Sequence, residues 1–100
     1  MIDACEAVAT FIADRDAHDL GIDRMLLFAV VHAIEVIGEA AVNVSDETRC
    51  VTEAIPWSAI VSMRNRLVHG YFDIDTAIVW RTATAEVPQL LPQLRDLLET

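Results

Sequence analysis

Between Ser62 and Phe72 the chain gathers two arginines (Arg64 and Arg66), an amide (Asn65), a histidine (His69) and its single tyrosine (Tyr71). No other segment concentrates so much chemistry. If Trp57 to His69 is a helix, residues four apart lie roughly 40° apart around the axis and residues five apart roughly 140°. Asn65 then sits one turn before His69. The long stem of Arg64 can still bring its guanidinium toward the imidazole, so that both meet one anionic group. Gly70 suits the left-handed residue that ends a helix. That puts His69 in the last turn, where the helix dipole favours the imidazolium while Arg64 and Arg66 oppose it, a balance near neutrality.

Such a set could cleave RNA without a metal. The reaction needs the 2′-hydroxyl deprotonated, the phosphate charge held and the 5′-oxygen protonated as it leaves. His69 can exchange the proton, Arg64 can grip the phosphate at two points, and Asn65 can orient the imidazole or touch the phosphate. A histidine at a helix end taken alone is more often a cap or a surface residue, and it is the neighbours that raise its weight.

Arg64, four residues, His69, one residue, Tyr71 resembles the pattern of the HEPN superfamily, and with its flanks the chain looks like the HepT toxins of HepT/MntA toxin–antitoxin pairs. Ile34 to Ala41, Ile55-Pro56-Trp57, Met63 to Phe72 and Asp73-Ile74-Asp75 carry the likeness in the family's order and spacing, over roughly 26–98. The resemblance implies the toxin of a type VII system, an endoribonuclease of bacteria or archaea. It implies that two subunits of a symmetric homodimer bring their Arg64/His69 sets to one composite cleft. It also gives Tyr71 a separate role, as the residue to which a minimal nucleotidyltransferase antitoxin of the MntA kind attaches AMP. Family members usually start some residues earlier in the first helix. The rival reading is a non-catalytic helical module that binds a nucleotide or presents substrate to such a nucleotidyltransferase.

The chain has 100 residues, the size of one domain, and 1–100 is expected to fold as a single unit. Apolar residues make up 54% of it and the mean hydropathy is +0.38, high for a monomer of this size, which points to apolar surface covered by a second subunit. No membrane span is expected, because the best stretch, Met25 to Val42, contains His32, Glu35 and Glu39. The start Met1 to Glu6 is acidic where a signal peptide is basic, so the expected location is the cytoplasm. Cys5 and Cys50 lack metal-binding spacing and read as packing residues. The net charge is −9, and the seven basic residues are all arginine. A chain this acidic cannot hold nucleic acid by general attraction, so contact with an RNA substrate must be local, around Arg64 and Arg66.

The elements that position these residues read as helices throughout. Ile2, Cys5, Val8, Ala9 and Ile12 give a first amphipathic helix without a visible N-cap, and 14–19 reads as a solvated connector with His18 exposed. Asp19 or Asp23 can cap a second helix reaching about Val44, apolar nearly all round and therefore expected to be covered on most sides. Gly38 inside it implies a close helix approach, since glycine there costs ~1 kcal/mol relative to alanine. His32, Glu35 and Glu39 share one face. One helix bearing one His and two carboxylates, with no Glu-x-x-His elsewhere, does not make a metal site, and no cofactor is expected. Glu35 or Glu39 is instead expected to reach Arg64 or Arg66 and hold it. Residues 43–53 are polar with Ser45 and Asp46 as turn caps, Pro56 suits the start of the third helix, and Asp73 or Asp75 caps a last helix that Pro88 should kink or divide. The fold class is all-α, an antiparallel bundle of four helices, or five if Pro88 breaks the last.

Overall fold

The computed structural model describes the backbone of residues 1–69 and 74–99 and the side chains of residues 1–67 and 74–97. Helix α1 (Ile2–Ile12) buries Cys5 and Val8 completely, and its first turn has no side-chain cap. The chain turns at Asp14 (φ 60°), a left-handed conformation that aspartate tolerates better than most residues. The connector that follows is more ordered than its polar composition predicts. Asp16 and Asp19 form a reciprocal capping box, with Asp19 N–H donating to Asp16 Oδ1 (3.2 Å) and Asp16 N–H to Asp19 Oδ2 (2.9 Å), which starts helix α2 (Ala17–Ile22). Leu20 anchors that helix in the core while His18 stays exposed.

Asp23 then caps helix α3 (Arg24–Val42) by accepting from Leu26 N–H at 3.1 Å. This is the central element. It packs against α1 and against the later helix Trp57–His69, and buries Leu26, Val30, Val31, Ala33, Ile34, Ile37, Gly38 and Ala41. It has the length and mean hydropathy (1.9) of a membrane span, but it carries the bundle's core on one side and His32, Glu35 and Glu39 on the other. Coverage on most sides does not hold. Met25 (84% exposed), Phe28 (47%), Val36 (40%) and Val42 (44%) stand bare, because the described residues fold against only one flank of α3.

Ser45 caps the short helix α4 (Asp46–Val51) by accepting from Thr48 N–H at 3.1 Å. Arg49 ties that helix back to α3, donating from Nη2 to the Ala41 carbonyl at 2.7 Å and so satisfying one of the last carbonyls of the central helix. Pro56 precedes helix α5 (Trp57–His69), and its carbonyl accepts the first helical bond from Ile60 N–H (3.1 Å). Trp57 is buried, and its indole Nε1 donates to Thr52 Oγ1 at 3.0 Å, which fixes the entry to the helix.

The last helical stretch opens at Asp75, whose carboxylate accepts from Ala77 and Ile78 N–H, as one of the two predicted caps; Asp73 lies outside the described residues. Helix α6 (Thr76–Arg81) passes through a π turn (Thr82–Glu86) into helix α7 (Val87–Glu99) without a break. The helical run therefore continues through Pro88, with the irregularity placed in the π turn just before it. Proline has no N–H to give the preceding turn and its ring crowds a carbonyl there, and a turn widened to an i→i+5 bond, here Val87 N–H to Thr82 O, makes the room. The core is one cluster shared by all the long helices, centred on Cys5, Val8, Val30, Val79 and Ala83, each with no exposed surface. The described residues are helical or loop, and the fold is the expected all-α bundle, with α2 and α4 added in its connections.

Candidate active site

The site begins with a close contact between two backbones. A Cβ placed on Gly38 would run into Cβ and Cγ of Arg64 and come within 3.4 Å of its Cα, so glycine is what lets α5 lie against α3 at this level. That approach lays the Arg64 side chain across the flank of α3. Its Nη2 pairs with Glu39 Oε1, and its Nη1 donates to Asn65 Oδ1 at 2.7 Å. Nε is buried and has no hydrogen-bond partner among the described residues. The guanidinium is thus held at two of its three nitrogens, and its side chain keeps 25% of its surface open.

Of the acidic residues singled out in the sequence, Glu39 meets Arg64, whereas Glu35 is half-buried and makes no ion pair among the described residues. The reason is the crossing at Gly38, which sets Arg64 beside the residue that follows this glycine and leaves Glu35 a turn away. Arg66 is exposed and makes no ion pair among the described residues, and Asn65 is exposed with its carbonyl oxygen turned to Arg64. His32 is exposed, and no three histidine, cysteine or carboxylate side chains among the described residues converge as a metal site would require. Helix α5 runs to His69, whose side chain lies outside the described residues, as do Gly70 and Tyr71.

Two features carried no sequence signal. The first is Arg49, which fastens α4 to the end of α3 from within a polar connector. The second is a cavity of ≈ 380 Å³ between α3, α5 and the π turn, floored by Ile34, Ile37, Met63 and Leu90 with Glu86 and Gln93 at its rim. Arg64 and Asn65 do not line it. Gln93 spans its edge, donating from Nε2 to the Ala54 carbonyl at 3.0 Å.

The family model described as "Ribonuclease HepT-like" matches residues 1–97. Among curated relatives, a protein of Thermococcus cleftensis named as a probable ribonuclease HepT is 33% identical over 95 residues, which cover 95% of this chain and 86% of that protein. A protein of Caldanaerobacter subterraneus subsp. tengcongensis named as a candidate RNase is 32% identical over 99 residues, covering 99% of this chain and 88% of the relative. One from Methanocaldococcus jannaschii, also named as a candidate RNase, is 31% identical over 90 residues, with coverage of 90% and 83%. No solved structure matches the chain. With nearly the whole length matched, the chain belongs to the HepT-like ribonuclease family.

Proposed function

We propose that this chain is a metal-independent endoribonuclease, the toxin of a type VII toxin–antitoxin pair. The observation that carries the reading is the Arg64 guanidinium, held by Glu39 and Asn65 yet partly open to solvent, on the helix that ends in His69. His69 takes the proton of the RNA 2′-hydroxyl and that oxygen attacks the adjacent phosphorus. The bond to the 5′-oxygen breaks, leaving a 2′,3′-cyclic phosphate on one fragment and, once the proton is returned, a 5′-hydroxyl on the other. Arg64 carries the charge that builds on the non-bridging oxygens, and Asn65 steadies the guanidinium. Glu39 is a positioning residue, and Arg66 adds positive charge at the entrance. Glu35 supports the same wall of α3.

One chain brings one imidazole, that of His69, to the proposed site, whereas the reaction needs a proton removed at one oxygen and delivered at another. A symmetric homodimer with two Arg64/His69 sets in one cleft meets that need, and the bare Met25 and Val36 on α3 support a second subunit there. In the family's logic Tyr71 is the acceptor of AMP from an MntA-like nucleotidyltransferase. An adenylyl group one residue past Gly70 would bring negative charge and bulk beside His69 and compete for Arg64. The alternative, a non-catalytic nucleotide-binding partner of that enzyme, is favoured by the net charge of −9 and by the engagement of Arg64 with Glu39. Incubating purified protein with labelled single-stranded RNA separates the two. Cleavage to cyclic-phosphate ends that is lost in a folded His69→Ala variant supports the nuclease, and intact RNA supports the binding module.

A further inference from the structure

The bare side of α3 is not uniform. Around the helix axis Arg24, Phe28, His32, Glu35 and Glu39 fall within an arc of about 80°, and Met25, Ala29, Val36 and Ala40 occupy the next ~60°. The first strip borders α5, because Gly38, which touches Arg64, lies just beyond its edge. It therefore leads to the Arg64 site along one continuous wall. Its far end holds an exposed cation–aromatic pair, with the Arg24 guanidinium 5.5 Å from the ring centroid of Phe28. Phe28 is 47% exposed, so one face of the ring is covered by its own arginine and the remainder is free.

We propose that this strip is the track on which single-stranded RNA lies, with Phe28 stacking a base, Arg24 and His32 flanking it, and the strand running down α3 to the scissile phosphate at Arg64. The inference rests on the ribonuclease reading and extends it to a substrate subsite. Chemistry selects this occupant. An aromatic face backed by a guanidinium accepts any nucleobase, and Arg24 beside it and Arg64 at the far end of the strip meet backbone phosphate. The chain's acidity excludes a grip built on many phosphates, and Glu35 on the same strip is a half-buried carboxylate, without an ion pair among the described residues, that repels one. A binding mode based on stacking is the one compatible with both. The span fits too. From Phe28 to Glu39 the helix rises about 16 Å, which a strand stacked at ~3.4 Å per nucleotide covers in about five residues. The neighbouring strip of Met25, Ala29, Val36 and Ala40 remains for the second subunit, which would make the track one bank of a shared cleft.

The test is fluorescence anisotropy of a labelled 12-nucleotide single-stranded oligoadenylate, read in a His69→Ala background so that binding is seen without cleavage. Phe28→Ala should raise Kd roughly five- to a hundredfold, the range of one lost base stack, and Phe28→Trp should restore it. Arg24→Ala should weaken binding and flatten the salt dependence by about one phosphate contact. An unchanged Kd in Phe28→Ala overturns the proposal. So does an equal loss on duplex RNA, or a Phe28→Ala chain that sediments at half the wild-type mass, which would assign the face to a second copy. If the unmutated protein leaves RNA intact while Phe28→Ala still weakens binding, the track stands and the nuclease reading falls; cleavage with no effect at Phe28 is the reverse.

Discussion

Arg64 on α5 is clamped between the Glu39 carboxylate of α3 and the amide oxygen of Asn65, its own neighbour in sequence. An exposed ion pair of this kind contributes only about 0–1 kcal/mol to stability. Its value lies in aiming the guanidinium. Glu39→Gln should leave the urea midpoint almost unmoved while lowering kcat for RNA about tenfold, with Glu39→Asp between it and wild type. Steady-state kinetics beside equilibrium unfolding checks this, and an equal fall in stability and rate would reduce Glu39 to a structural pair.

The two helical glycines described should respond in opposite senses to alanine. At Gly21 nothing lies within 4 Å of an added Cβ, so Gly21→Ala should stabilise by roughly 0.5–1 kcal/mol through helix propensity alone. At Gly38 the same methyl meets Arg64, and the strain of parting α3 from α5, about 1–3 kcal/mol, outweighs that gain. Gly38→Ala should therefore lower Tm and cleavage together. A stabilised Gly38→Ala would show that the crossing is looser than described.

A symmetric dimer, as proposed, would have its own signature. Val36→Glu places a charge in the apolar strip of α3 yet faces solvent in the single chain, so it should halve the sedimenting mass while leaving the helical circular dichroism intact. Cleavage should fall by orders of magnitude in the resulting monomer. A fully active monomer would remove the need for a composite cleft.

Thiol chemistry reports on the core. Cys50 is exposed and Cys5 has no exposed surface; burial pushes the Cys5 thiol above its ordinary value of 9.0, with the neighbouring Glu6 adding to the rise and the terminal amino group opposing it. Ellman's reagent at pH 8 should label one thiol per folded chain and two after denaturation. Because the folded state keeps the Cys5 proton longer than the unfolded state does, this contribution to stability is whole below pH 9.0 and declines as the pH climbs beyond it. Two fast-reacting thiols in the native protein would contradict the placement of α1.

Tyr71 makes the last test. Incubated with ATP and a cognate nucleotidyltransferase, the wild type should gain the mass of one or more AMP groups and lose cleavage, whereas Tyr71→Phe should stay active and unmodified. Intact-mass spectrometry decides. Modification that persists in Tyr71→Phe counts against this acceptor.

Local chemistry was readable in the sequence because it depends on few residues. Asp23 and Asp75 cap helices as their types suggest, and Pro56 opens α5. Gly38 announced a close approach that the Arg64 contact explains. What escaped depends on partners distant in the chain. The choice of Glu39 over Glu35 for Arg64 is set by where α5 crosses α3, and no periodicity encodes that crossing. The bare face of α3 was hidden by its even apolarity, which gives no hint of which flank the remaining helices will leave open. Helix α2 was missed because its capping box uses two aspartates in a stretch that composition alone marks as solvated.

The π turn at Thr82–Glu86 amounts to one surplus residue stored in a helix. Deleting the exposed Ala85 would let the turn close to an ordinary one and keep Leu90 and Leu94 facing inward, whereas adding a residue would rotate both by about 100° out of the core. The shorter form would press the Pro88 ring onto a carbonyl of the preceding turn, so the deletion is viable only with Pro88 exchanged as well. Length and proline should therefore vary together: relatives one residue shorter between Arg81 and Val87 should lack the proline, and those that keep it should keep the extra residue.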